Sequence, residues 1–121
     1  MHHTVYIVTS DNMLGSNLKE LLELYIYNVC LFNSPEKAAA ALKQQVPGTL
    51  IIDEFNSGGC YNYLYAGKTR KEDNMQLLIF NADGSLKPHP LADACLALPV
   101  LPDDLLKTLD GFYTTSYKKA G

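Results

Sequence analysis

The sequence predicts an α/β fold, a doubly wound sheet of five parallel strands with helices on both faces. Three observations predict it. Five short apolar segments recur along the 121 residues, each separated from the next by a helical or turn-rich stretch. The best formed of them, "TLIID" (Thr49–Asp53), is continuously apolar rather than alternating, as expected where both faces of a strand are covered. The connections carry helix caps and a 3.6-residue apolar period, which makes them crossovers of right-handed βαβ units. The length suits one domain over residues 1–121 with one core.

The elements follow in order. "TVYIVT" (Thr4–Thr9) is a first strand, rich in β-branched residues and apolar on both faces. Asp11 or Asn12 then caps a helix whose apolar stripe is Leu14, Leu18, Leu21, Leu22 and Tyr25, with Lys19, Glu20 and Glu23 mostly away from it. "YNVCLF" (Tyr27–Phe32) is a second strand. Ser34 as cap and Pro35 as first helical residue open a second helix, kept thin by its alanines so that it packs close to a sheet. After the third strand, "CYNYLYAGKTRK" is expected to hold a third helix, weakened by Gly67. "MQLLIF" (Met75–Phe80) is the fourth strand, followed by the turn "NADGS". The proline-marked "LKPHPLADA" leaves room for one or two helical turns before the fifth strand, "CLALP". The last helix begins at Pro102, with Asp103 and Asp104 where the helix dipole favours acids. Its stripe is Leu105, Leu109, Phe112 and Tyr113, and Lys118 and Lys119 stand at its end.

Composition excludes several classes. The formal charge is −3 and there is no basic stripe, which argues against direct nucleic-acid binding. Leu77–Phe80 and the proline-broken Leu96–Leu101 are far short of a membrane span. "MHHTVYIV" runs straight into a strand pattern without a signal peptide, so a cytoplasmic location is expected. Cys30, Cys60 and Cys95 are odd in number and lack a CxxC pair, so neither a zinc site nor a disulfide frame is indicated. Cys30 and Cys95 read as small core residues, and Cys60 stands in a glycine-rich loop. His2, His3 and His89 are scattered, which points away from a metal site. Tyr61, Tyr63 and Tyr65 read first as a core edge with hydroxyls reaching solvent, and second as an interface.

In a doubly wound sheet, ligands bind beyond the carboxyl ends of the strands, where strand order reverses. The residues placed there are Thr9, Ser10 and Asp11 after the first strand, Asp53 at the end of the third, Asn81 after the fourth and Leu98 after the fifth. Asp53 ends the run "GTLIIDEFNSGG" just where a Gly/Asn/Ser loop begins. Its simplest role is to anchor that loop, accepting hydrogen bonds from N–H groups around Asn56–Gly59 or from Thr9 or Ser10. Asp11 reads as a helix cap and Asn81 as a turn former.

"VYIVTSDNMLGSNLKELLE", "LIID", "LLIFNA" and "LPVLPDDLL", in this order and spacing, resemble the receiver domain of two-component response regulators, which has the flavodoxin-like fold. The resemblance covers nearly the whole chain. It places Asp53 at the phosphoacceptor position of the family's phosphorelay. The two acidic positions that hold Mg²⁺ in the family fall on Thr9 and Ser10, and the Thr/Ser that contacts the phosphoryl group falls on Asn81. The family's lysine falls on Leu98, with the adjacent Pro99 kept, and its activation-reporting aromatic falls on Cys95. The resemblance therefore implies a degenerate, pseudo-receiver-like domain: not an enzyme, without a Mg²⁺ cofactor, working through a protein partner, an output domain or a homodimer. Two other readings stay open. Asp53 would be phosphorylated if Asp11 joined it as an improvised metal ligand. Alternatively, the hydroxyl-rich "TSDNMLGSN" (Thr9–Asn17) would serve a flavodoxin-type small-ligand site.

Overall fold

The computed structural model describes residues 3–42, 48–54, 76–81, 84 and 92–120. Within them the elements are β1 (Thr4–Val8), α1 (Asn12–Leu24), β2 (Asn28–Phe32), α2 (Pro35–Leu42), β3 (Thr49–Asp53), β4 (Gln76–Asn81), β5 (Ala94–Ala97) and α3 (Pro102–Ala120). All four strand pairings are parallel, in the order β2-β1-β3-β4-β5. This is the flavodoxin-like order, in which the chain reverses direction across the sheet between β1 and β3. The expected third helix, its three tyrosines, Cys60 and His89 lie outside the described residues.

The central strands are buried from end to end, as their unbroken apolar runs required. Strand alternation sends Tyr6, Val8, Leu50, Ile52, Leu77 and Ile79 to one face, against Ala38 of α2. Val5, Ile7, Ile51, Leu78 and Phe80 go to the other, against Leu18 and Leu22 of α1 and Leu105 and Leu109 of α3. Each such leucine or isoleucine contributes about 1.5–3 kcal/mol by leaving water. The edge strands β2 and β5 are only half-buried. Cys30 and Cys95 lie on them, packed against the α2-side core, and neither is in a disulfide.

Boundaries differ from the sequence reading by one or two residues, each for a local reason. β2 begins at Asn28 because the Tyr27 N–H bonds back to Leu22 O at 3.1 Å. The Ile26 N–H bonds to Glu23 O at 3.1 Å in the same turn, so α1 ends in a Schellman motif. Ile26 occupies its left-handed position, at φ 69°. Tyr25, read as part of the apolar stripe, is the C-cap and 58% exposed. β5 ends at Ala97, ahead of the cis Leu98-Pro99 bond.

Two close approaches hold the sheet together. A Cβ on Gly48 would lie 2.1 Å from the carbonyl oxygen of Thr4, so only glycine lets β3 begin beside β1. At β4, Asp93 pairs with Leu77 twice. Its carboxylate accepts from the Leu77 N–H at 2.7 Å, and its own N–H donates to Leu77 O at 2.8 Å.

Candidate functional site

The register that pairs Val8 with Ile52 sets Thr9 beside Asp53 at the point where strand order reverses. Both side chains are buried: Asp53 is 0% exposed and Thr9 2%. The Thr9 hydroxyl donates to Asp53 Oδ2 at 2.7 Å. Thr9 Oγ1 in turn accepts the Asp11 backbone N–H at 3.1 Å. A hydroxyl of this kind, bonded two residues on, is a common way to turn a chain out of a strand.

Asp11 is spent on the helix that follows. It is the N-cap of α1, with extended backbone (φ −83°, ψ 99°), and its Oδ1 accepts the Leu14 N–H at 3.1 Å. Its backbone carbonyl accepts the Gly15 N–H at 2.9 Å. The hydroxyl-rich turn thus closes on its own acid, and the carboxylate already sits on the helix N-terminus that a phosphate-cradling loop would offer to a ligand. Ser10 is exposed.

The remaining positions are arranged by the loops. Asn81, 6% exposed, accepts the Gly84 N–H on its side-chain oxygen at 2.6 Å, and Gly84 has φ 74°. This is the turn-forming role read from the sequence. The Asn81 carbonyl also accepts the Leu98 N–H at 3.1 Å, which ties the end of β5 to the end of β4. The Leu98 side chain is half-buried against the core beneath α1 and α3. It is an apolar packing group where the resemblance places an ammonium.

A magnesium ion of the kind the family's two acidic positions hold does not fit these residues. Mg²⁺ keeps near-octahedral oxygen ligands and is usually held by one or two carboxylates. Here the position beside Asp53 is filled by a donating hydroxyl, and the Asp11 carboxylate is turned to α1. Among the described residues no three of His, Cys, Asp and Glu are grouped so as to hold a metal. A shallow cleft of about 260 Å³ opens nearby between β2 and the starts of α1 and α2, lined by Asn12, Leu31, Phe32, Asn33 and Lys37. None of the site positions read from the sequence lines it.

Two contributors had no signal in the motif reading. Gly15 lies one turn into α1, and a Cβ there would stand 2.8 Å from Leu31 Cδ1 and 3.2 Å from Thr9 Cγ2. The missing side chain is what lets α1 seat on Thr9. The sequence offered only a glycine inside a helical period, which is the trace such a contact leaves. The pairing of the Thr49 hydroxyl with the Tyr113 phenol at 2.7 Å spans 64 positions, and no local pattern announces it.

No family model matches the chain, and no curated protein matches its sequence. Solved structures match its fold throughout. A CheY-like response regulator receiver domain protein from Methanospirillum hungatei JF-1 superposes with a TM-score of 0.83 at 20% identity, covering 100% of both chains. The chemotaxis response regulator CheY4 of Vibrio cholerae gives 0.77 at 17% identity, over 93% of this chain and 99% of that one. Full-length FixJ from B. japonicum gives 0.76 at 18% identity, over 98% of this chain and 61% of that one. The fold is that of response regulator receiver domains.

Proposed function

We propose that this chain is a receiver-like signalling domain that acts through protein contacts and not through standard Mg²⁺-dependent phosphorylation of Asp53. One observation carries the reading: at the acceptor position of a receiver fold, the buried Asp53 carboxylate is engaged by the Thr9 hydroxyl at 2.7 Å. Phosphoryl transfer to a carboxylate gathers negative charge in a small volume, and catalysis there is positioning plus electrostatic stabilisation by metal and cations. Thr9 and Ser10 offer neutral hydroxyls, Asn81 a neutral amide bonded to its own turn, and Leu98 an aliphatic group. The partner in this reading is an output domain or a second copy, and the domain is not itself an enzyme.

The cytoplasmic location belongs to the same reading; among the described residues no helix is long and apolar enough to cross a membrane. Half-buried β5 and the turn into α3, where Leu101 is 59% exposed, are the surface on which such contacts are expected. A phosphorylatable Asp53 is the second reading, favoured by its place at the end of β3 on the switch point.

Incubation with a small phosphodonor and Mg²⁺, followed by intact mass, separates the two readings. The first expects an unmodified chain. An added phosphoryl group that disappears in Asp53→Ala would establish the second.

A further inference from the structure

One hydroxyl stands between the acid of β3 and the turn that opens α1. Thr9 Oγ1 gives its proton to Asp53 Oδ2 and takes the Asp11 N–H on a lone pair, so a single orientation serves both bonds. Its methyl group packs where Gly15 leaves room, and its own N–H donates to Phe32 O at 3.0 Å. Among the described residues, the polar groups that fix this side chain belong to the backbone or to Asp53. A divalent cation held by carboxylates from two segments would do the same mechanical work, joining the acid of one strand to the loop after its neighbour.

We propose that the Thr9 hydroxyl stands in for a divalent cation as the bridge between β3 and the β1–α1 turn, so that residue 9 decides whether this edge of the sheet responds to metal. The proposal rests on the reading of Asp53 as an anchor and deepens it. An acid at position 9 would set two carboxylates against each other in a buried place, where like charges disfavour ionisation, and a hard cation is what relieves them. The valine of similar shape would keep the volume and remove the bridge.

The test compares the full chain with Thr9→Asp and Thr9→Val, in EDTA and in saturating MgCl₂ or MnCl₂. Thermal melting and amide exchange are the readouts. The wild-type chain is expected to melt at one temperature in both conditions. Thr9→Asp should melt about 5 °C lower in EDTA, and metal should restore it unless Asp53→Asn is added. Thr9→Val should exchange the Asp11 amide about tenfold faster, with or without metal. Wild-type exchange at Asp11 in Thr9→Val would overturn the bridge, as would a Thr9→Asp chain indifferent to metal. If Thr9→Asp does not fold, the Thr9→Val exchange still decides. A wild-type chain that metal stabilises through Asp53 would overturn the functional reading and the bridge with it.

Discussion

Each end of the parallel sheet carries a threonine hydrogen-bonded at 2.7 Å, and the two differ in what the threonine holds. At the amino end Thr49 meets the Tyr113 phenol, which ties the start of β3 to α3. The His3 ring stacks on Tyr113 at 3.6 Å and 10°, and Tyr27 tilts against it at 6.1 Å. The shifts in that knot all favour the neutral form of the group concerned. Burial pushes the Tyr113 phenol up to about 12, with the Thr49 bond pulling the other way, and desolvation holds the His3 imidazole below its usual value. At the carboxyl end Thr9 meets a carboxylate with no exposed surface. One end joins the core together; the other buries an acid in the place where doubly wound sheets put their ligands. Substitutions at the amino end should therefore register as stability, and those at the carboxyl end as a changed response to ions.

The largest expected effect lies at the amino end. Gly48→Ala drives a methyl group into the Thr4 carbonyl, which is backbone and has no rotamer to yield. A loss of about 3 kcal/mol in urea unfolding is expected. Tyr113→Phe leaves the fully buried Thr49 hydroxyl without its partner and should cost about 1–2 kcal/mol, while pairing it with Thr49→Val should recover most of that loss.

The same phenol has a pH signature. Its folded pKa lies above the unfolded value, so the neutral form is the one that folding favours. The stability it contributes is fully present below pH 10 and is lost as pH rises from 10 towards about 12. Tyr6, also raised to about 12 by burial, adds to the alkaline loss. Tyr113→Phe should show a shallower decline than the wild-type chain over that window.

Ile26→Gly should raise stability by about 1 kcal/mol, because Ile26 is 63% exposed and holds a φ of 69° that glycine adopts freely. The smallest effect is expected at the carboxyl end. Asp53→Asn keeps an acceptor oxygen for Thr9 and removes a buried charge, so stability should stay within about 0.5 kcal/mol of wild type. A loss of several kcal/mol there would mean that the charge itself holds the loops, and the contrast between the ends would fail.

Most of the fold was legible in the sequence, because both signals that carry it are local. β1, β3 and β4 are runs of β-branched and aliphatic residues with no room for another reading, and Ser34-Pro35 and Pro102-Asp103-Asp104 mark helix starts by composition alone. The Lys37 N–H does bond to Ser34 Oγ at 3.3 Å, as a cap requires. Tyr25 was misplaced because a period of 3.6 cannot say where a helix stops, and the stop came from an isoleucine in a position that usually takes glycine. At the site, Asp53, Thr9 and Asn81 were legible as neighbours because parallel strands deliver their ends to one edge. The division of labour among them was not. That the Thr9 hydroxyl reaches Asp53 goes with the space Gly15 leaves beside the Thr9 methyl group, which is not written in a motif.

In the proposed reading, the acid at the switch point is answered by the Thr9 hydroxyl and takes up no divalent ion. Titration of the isotope-labelled chain with MgCl₂, read at the amides of Thr9, Ser10, Asp11 and Asp53, tests it directly. Only the small linear drift that salt causes is expected. Saturable shifts at those amides, lost in Asp53→Ala, would contradict it.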